Sequence, residues 1–296
     1  MLELLSFSLV IQLVINGVLF GTMYGIAAIG LSLIFGTMRI MFLAQGTMII
    51  FFAYLSYWAF RLFGVDPYLS LLIVVPICVF LGLGLYQGLF RQAAAEEDKN
   101  ISLLIAVGLM FFVEALMTVG WGGTPRAIST AYSTVAFRPI GLDFPLTRLL
   151  GLLMSILATA VVVLFLKKTF IGMAVKAASD DIVATTLMGI SPHRVNSVAF
   201  AIGMGLAGVA GVEVATVYSF DPFFGFNFVL NALIALALGG IGSVTGALLG
   251  GIMLGLLQSL SSFMVPGWSD AIAYVVFLIM LMFKPEGLLV RSVKKA

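Results

Sequence analysis

Long apolar segments, each near the length of a membrane span, follow one another along almost the whole chain of 296 residues. A helix needs about 20 apolar residues to cross the hydrocarbon layer of a bilayer. Only 9% of the residues are charged and 62% are hydrophobic, whereas soluble domains are about 25% charged. We therefore predict one all-α, polytopic transmembrane domain over residues 1–296, a helical bundle of about eight or nine spans. The predicted spans are about 9–31, 40–60, 69–90, 101–121, 149–166, 197–218, 226–238, 244–264 and 270–283.

The seventh of these spans, 226–238, is short, and a glycine-rich stretch separates it from the eighth. The two segments are either full crossings or a re-entrant pair, and the sequence leaves both possibilities open. Glycine adopts backbone angles that other residues avoid. We predict a tight structural turn made by Gly239, Gly240, Gly242 and Ser243.

The distribution of basic residues predicts the orientation. With nine spans and an external N-terminus, the inner segments hold all of the 15 Lys and Arg residues except Arg61, Arg126, Arg138 and Arg148. Basic residues favour the cytoplasmic side of a membrane, so we place the C-terminus in the cytoplasm. Residues 1–38 contain no Lys or Arg. The basic start of a cleavable signal peptide is missing, and we predict that the first span is retained.

Catalytic and metal-binding patterns are missing from the sequence. His193 is the only histidine and Cys78 the only cysteine, and no set of ligands or of triad residues converges. The glycine pattern at 203–208 lies inside an apolar span, without the strand that a nucleotide-binding turn needs. No P-loop sequence occurs, so we expect no cofactor in this chain, and any ATP to be bound by another. A net charge of +2 gives no indication of nucleic-acid binding.

Polar residues inside apolar spans indicate a path for a solute or, alternatively, hydrogen bonds between helices. Two pairs of such residues have a spacing of four, which places both members of a pair on one helix face. They are Gln12 with Asn16 and Asn227 with Asn231. The candidates for a translocation path are Gln12, Asn16, Glu114, Glu213, Asn227, Asn231 and Gln258.

Glycines recur every fourth residue on the first span, at Gly17, Gly21 and Gly25, and on the eighth span, at Gly246 and Gly250, which are followed by Gly251 and Gly255. Small residues at this spacing let helix backbones approach closely in lipid, where no hydrophobic effect drives helices together. We predict close helix packing at these faces. The alternative is that some of them slide during a transport cycle.

The polar segment at about 167–196 is predicted to lie in the cytoplasm. Residues 172–190 have helical spacing, with Met173, Ala177, Ala184 and Met188 on one side, and Pro192 is expected to end that helix. A short amphipathic helix facing the cytoplasm suits docking on a soluble partner. The alternative is a helix that rests on the membrane surface.

Several motifs, in their order and spacing, resemble the permease subunits of bacterial ABC importers for branched-chain amino acids. The stretch 238–243, with the glycines that follow it, is the most specific match, and others are at 16–36, 206–211 and 284–288. The cytoplasmic block resembles the ATPase-coupling segment of that family. The residues that match it are Gly172, Lys176, Ala177, Asp180, Asp181, Ala184, Gly189 and Ile190.

The resemblance implies a non-enzymatic permease in the bacterial inner membrane, working with a homologous second permease, two cytoplasmic ATPase subunits and an extracytoplasmic solute-binding protein. Two departures concern the solute. Relatives often have histidine where this chain has Gln45, and Glu213 stands where an apolar residue is expected; both residues are therefore candidates for the path. The alternatives are an ABC permease for urea, short amides or another small solute, an ion- or proton-coupled secondary transporter, and a passive channel.

Overall fold

The computed structural model describes residues 7–94, 99–133, 135–137, 144–283 and 287. Within these residues the chain is a bundle of helices, with one two-stranded antiparallel ribbon in which β1 (Ala136–Phe137) pairs with β2 (Phe144–Pro145). A π-helical turn, Tyr86–Phe90, joins the third and fourth helices. The helices are α1 Phe7–Met38, α2 Ala44–Phe63, α3 Pro67–Leu85, α4 Arg91–Ala93, α5 Lys99–Trp121, α6 Leu146–Lys168, α7 Phe170–Asp180, α8 Ile182–Leu187, α9 Pro192–Val217, α10 Phe224–Gly239, α11 Val244–Met264 and α12 Ser269–Phe283.

The all-α polytopic architecture predicted from the sequence is confirmed. In the described part of the chain, 7 helices are long and apolar enough to cross a membrane. Two further apolar helices, α10 with 16 residues and α12 with 15, are shorter than a full span. The eight or nine predicted spans therefore correspond to seven long helices and two short ones. The family motif at 284–288 lies outside the described residues except for Gly287.

Helices α1 and α11 run antiparallel, because Gly17, Gly21 and Gly25 lie against Leu256, Ile252 and Leu248 respectively. The bundle therefore has two ends. We call one the α7 end, because α7 lies there beside the C-terminal end of α1 and the turn between α10 and α11. We call the opposite one the loop end, since it carries the connections before α3, after α5 and after α9. At the loop end the Tyr68 hydroxyl donates to the Thr147 carbonyl at 2.6 Å, and Arg126 pairs with Phe220 in an antiparallel bridge.

Helices α10 and α11 form an antiparallel hairpin whose turn reaches the α7 end. Gly240 and Gly242 have φ angles of 92° and 84°, which glycine adopts without steric cost. Ser243 Oγ then accepts a hydrogen bond from the Gly246 amide at 3.0 Å and caps α11. The hairpin thus has its turn at the α7 end, and its helices of 16 and 21 residues extend from there toward the loop end.

The helix α2 begins inside the bundle. Gln45 Nε2, in its first turn, donates to the Ala27 carbonyl at 3.0 Å. Ala27 lies eleven residues, or about 16 Å, before the end of α1 at Met38. The chain therefore turns back into the bundle between α1 and α2. The first turn of α10 packs against this start, because a methyl group on Gly225 would lie 2.8 Å from the Gly46 carbonyl carbon.

The segment 172–190 forms two helices rather than the single helix expected from its spacing. Asp181 separates them, with φ −149° and ψ 105°, and its Oδ1 accepts from the Val183 and Ala184 amides at 2.9 and 3.0 Å. An aspartate offers the backbone this alternative to a continuous helix and caps the next one. Pro192 also acts differently from the prediction. It is the first residue of α9, a position that proline fits well, whereas the preceding helix already ends at Leu187.

Helices α1 and α11 pack closely through their glycines. A methyl group on Gly21 would lie 2.6 Å from Ile252 Cα, and one on Gly17 would lie 2.8 Å from Leu256 Cα. On the other helix, Gly251 and Gly255 meet the backbone of α1 at Gly25 and Gly21. This contact confirms the close helix packing predicted from the spacing of the glycines.

The substitution Gly21→Ala is expected to destabilise the protein, while Gly84→Ala is expected to leave it unchanged or slightly more stable. The first methyl group meets backbone atoms that cannot move aside, and overpacking of this kind costs about 1–3 kcal/mol. The second has nothing within 4 Å, and alanine favours a helix over glycine by about 1 kcal/mol. Thermal unfolding in detergent measures both. Equal stability of the two variants would contradict the prediction, because it would show that α1 and α11 can move apart to accommodate a methyl group.

Candidate translocation cavity

A cavity of about 610 Å³ lies at the loop end, between α1, α6, α10, α11 and α12. Its wall is mixed, with amide, hydroxyl and charged groups on some sides and aromatic rings on others. Small-molecule sites have this composition, since apolar walls hold a ligand and a few polar groups fix its orientation. The polar amide and charged residues of the lining are Asn16, Arg148, Asn227, Asn231, Gln258 and Asp270.

A hydrogen-bond network joins the three C-terminal helices across one side of the cavity. Gln258 Nε2 on α11 donates to Asn231 Oδ1 on α10 at 3.1 Å and to Asp270 Oδ1 on α12 at 2.9 Å. The Tyr274 hydroxyl on α12 donates to the same Asn231 oxygen at 3.2 Å. Asn231 therefore accepts from two helices, and its orientation is fixed by both of them.

Arg148, in the first turn of α6, also lines the cavity. Its Nη1 donates to Asn16 Oδ1 on α1 at 3.2 Å. Its guanidinium carbon lies 4.1 Å from the centre of the Phe20 ring, within the range of a cation–π interaction. Arginine stays charged in proteins, so this wall of the cavity is positive.

Aromatic rings form the apolar part of the wall. Tyr24 and Phe228 lie with ring centroids 5.4 Å apart, and Tyr218 and Phe224 lie 5.6 Å apart. Aromatic pairs at this separation pack favourably and hold their rings in place. The cavity thus offers both a polar and an apolar environment to a small solute.

Four of the residues proposed for the path line this cavity: Asn16, Asn227, Asn231 and Gln258. Gln12 lies one helical turn before Asn16 on α1. Gln45, Glu114 and Glu213 do not line the cavity. Gln45 instead joins α2 to α1, as described above, and Glu114 lies half-buried on α5.

Glu213 is completely buried between helices. One carboxylate oxygen, Oε1, accepts from the Ser155 hydroxyl on α6 at 2.7 Å, and Oε2 has no hydrogen-bond partner among the described residues. A methyl group on Gly151, also on α6, would lie 3.7 Å from this side chain. Glu213 therefore joins α9 to α6, which is the second role that the sequence left open for polar residues within spans.

The residues of the cytoplasmic block, which the family resemblance assigns to ATPase coupling, fall into two groups. Lys176, Ala177, Asp180, Asp181, Ala184 and Gly189 are exposed, whereas Gly172 is buried and Ile190 is half-buried. Gly189 has a φ angle of 84°, and it forms the turn after α8. Gly172 packs against the last turn of α6, where a methyl group would lie 2.7 Å from Leu166 Cα.

Sequence reasoning missed two charged residues of the cavity, Arg148 and Asp270. Both stand in the first turn of an apolar helix, where a charge is most simply explained as flanking a span. Their positions at the starts of α6 and α12 were visible in the sequence. That both face one cavity depends on how distant helices pack, and no local pattern shows it.

The fold and the cavity define a multi-pass membrane transport protein, and comparison with known proteins identifies the family. The family model described as the permease component of the branched-chain amino acid transport system matches residues 13–283. The chain belongs to this family and is a transmembrane permease component of an ABC importer.

Relatives and a solved structure support this assignment. The chain is 26% identical over 294 residues to the high-affinity branched-chain amino acid transport system permease protein LivH of Escherichia coli, covering 95% of this chain and 96% of LivH. It is 28% identical over 202 residues to the ribose import permease protein RbsC of Haemophilus influenzae, covering 64% of this chain and 61% of RbsC. The structure of PsaBC from Streptococcus pneumoniae in complex with Fab covers 92% of the chain with a TM-score of 0.50 and 15% identity, and it supports the fold alone.

Replacing Asn231 with leucine is expected to reduce solute uptake by the assembled importer. The substitution removes the acceptor that Gln258 and Tyr274 share, and an unsatisfied buried donor costs about 1–3 kcal/mol. Uptake of labelled solute into proteoliposomes measures the effect. The matched control is Glu213→Gln, which keeps an acceptor for Ser155 outside the cavity and should leave uptake near the wild-type rate. Greater damage from the control would place the path along Glu213 instead.

Proposed function

We propose that this chain is a permease subunit of an ATP-driven importer that moves branched-chain or related small amino acids across the bacterial inner membrane. A homologous second permease completes the path, two cytoplasmic ATPases supply the energy, and an extracytoplasmic binding protein delivers the solute. Membership of the permease family supports this proposal. The structural observation that carries it is an exposed apolar surface on α8, described next.

The coupling surface consists of Val183, Leu187 and Met188 at the α7 end. Leu187 is 84% exposed and Met188 is 82% exposed. They lie on and just after a helix of 6 residues that is too short to enter the bilayer as a span. Exposed apolar side chains gathered on a polar segment are typical of a site that binds another protein. We propose that an ATPase subunit covers this surface.

A direct contact connects α7 to the long helices of the bundle. Ser179, in the last turn of α7, lies against Gly36 near the end of α1 and against Gly242 in the turn of the α10–α11 hairpin. A methyl group on Gly242 would lie 3.1 Å from Ser179 Oγ. We expect a displacement of α7 toward the bundle to move this turn, because only the short Ser179 side chain separates them.

The same hairpin carries Asn231 and Gln258 into the cavity at the loop end. We propose that closure of the ATPases on ATP moves α7 and α8, that Ser179 transmits the movement to the hairpin, and that the cavity then opens to one side at a time. This is alternating access, in which packed helices rock around a central site. The chain itself hydrolyses nothing.

The solute assignment rests on relatives and on the mixed wall of the cavity. LivH is named for branched-chain amino acids, and the aromatic rings of this cavity suit an aliphatic side chain. RbsC is named for ribose, so another small polar solute is the second candidate within the same class of importer.

The variant Leu187→Asp is expected to assemble in the membrane but to lose ATP-driven uptake, because it places a charge in an apolar contact. Leu187→Met is the matched control and should retain uptake, since it keeps an apolar side chain of similar volume. The uptake of labelled solute and the rate of ATP hydrolysis are measured for each variant in proteoliposomes that contain the co-purified importer. Normal uptake by Leu187→Asp would exclude α8 as the coupling surface.

The same preparation tests the energy source. We expect uptake to require ATP on the side of the ATPases and to survive collapse of the proton gradient. Uptake that follows the gradient and ignores ATP would instead support an ion-coupled secondary transporter. Uptake with neither source would support a channel.

The proposed orientation places the α7 end in the cytoplasm and the loop end outside. We expect a cysteine at Thr186, on exposed α8, to react with a membrane-impermeant maleimide only in inside-out vesicles, and one at Gly123 only in intact cells. The native Cys78 gives no background, because it is completely buried. The opposite labelling pattern would reverse the assignment of the two ends.

A further inference from the structure

Two opposite charges share the cavity at the loop end without pairing with each other. Arg148 and Asp270 both line it. Within the described residues, Arg148 donates a side-chain hydrogen bond to Asn16, and Asp270 accepts one from Gln258. Each charge is thus held in place by a neutral amide. Arg148 is half-buried and Asp270 is exposed, so both can meet charged groups of a ligand. A ligand that brings one charge of each sign therefore complements the cavity.

The geometry of the arginine favours a carboxylate. A guanidinium group has five N–H donors in a planar fork that matches the two oxygens of a carboxylate. One Arg148 nitrogen donates to Asn16, and the ring of Phe20 covers the guanidinium group at 4.1 Å. These two contacts orient the side chain and leave further donors for a ligand.

The part of the cavity beside Asp270 favours an ammonium group. Asp270 is exposed, and its Oδ1 accepts from Gln258. Carboxylate oxygens accept hydrogen bonds from the donors of an ammonium group. The rings of Tyr24 and Phe228 also line the cavity, and an aliphatic side chain can pack against them.

We infer that this cavity binds free α-amino acids as zwitterions, with Arg148 binding the α-carboxylate and Asp270 the α-ammonium group. The inference rests on the proposed function in that it takes this cavity to be part of the solute path. It adds the residues that recognise the two charged groups, and it separates an amino acid from an uncharged sugar, which would leave both charges without a counterpart.

Equilibrium binding to the assembled importer tests the inference. The complex is reconstituted in nanodiscs without the solute-binding protein, so that the selectivity of that protein does not enter. The probes are leucine, leucinamide, which lacks the carboxylate, and 4-methylpentanoate, which lacks the ammonium group. We expect each of the two analogues to bind about tenfold more weakly than leucine or worse, the loss typical of a charge-assisted hydrogen bond.

Two variants assign the charged groups. Arg148→Gln should weaken leucine binding about tenfold or more and leave leucinamide binding unchanged. Asp270→Asn should weaken leucine binding and leave 4-methylpentanoate binding unchanged. The control is Arg61→Gln, which removes an exposed positive charge whose guanidinium group donates to Tyr57 and which does not line the cavity; it should change none of the three affinities. Co-purification with the partner subunits confirms that each variant is folded.

Equal binding of the three probes by the wild type, or no binding of leucine, would overturn the inference. Unchanged leucine binding in both Arg148→Gln and Asp270→Asn would do the same. If those variants bind leucine normally while the wild type performs ATP-driven leucine uptake, the zwitterion site is wrong and the proposed function stands. If the wild-type importer performs no ATP-driven leucine uptake, the proposed function itself is wrong.

Discussion

The backbone-to-backbone contact between α1 and α11 is the constraint on which the rest of the structure depends. In lipid the hydrophobic effect does not press helices together, so association relies on close van der Waals packing. Gly21 and Gly251 let the two helices approach until their main chains touch. This contact fixes α11 against α1, and with it the side of the cavity that α11 carries.

The α10–α11 hairpin connects the α7 end of the molecule to the cavity at the loop end. Its turn lies against Ser179 of α7, and its two helices present Asn231 and Gln258 to the cavity. A helix transmits displacement along its length because its backbone hydrogen bonds resist bending. The tight turn at Gly240 and Gly242 lies where α7 meets the hairpin. The architecture therefore suits transmission from a soluble partner to a solute.

The cavity is built from residues far apart in the chain. Asn16, Arg148 and Asp270 come from the first, the middle and the last parts of the sequence, and only packing brings them together. The polar groups that face the cavity are held by one another across helices. Glu213 shows that a polar residue within a span has a second use, because its carboxylate joins α9 to α6 instead of facing a solute.

The sequence by itself determined that this chain crosses a membrane many times as helices, because its apolar segments have the length of a bilayer and its backbone must satisfy its own hydrogen bonds there. Glycine spacing also indicated which faces pack closely. Tertiary structure alone decided that Asp181 breaks the cytoplasmic segment into two helices, since its capping bonds compete with a continuous helix. It alone decided which polar residues meet at the cavity. Periodicity gives the face that a residue occupies on its own helix, and the neighbour of that face depends on the packing of helices distant in sequence.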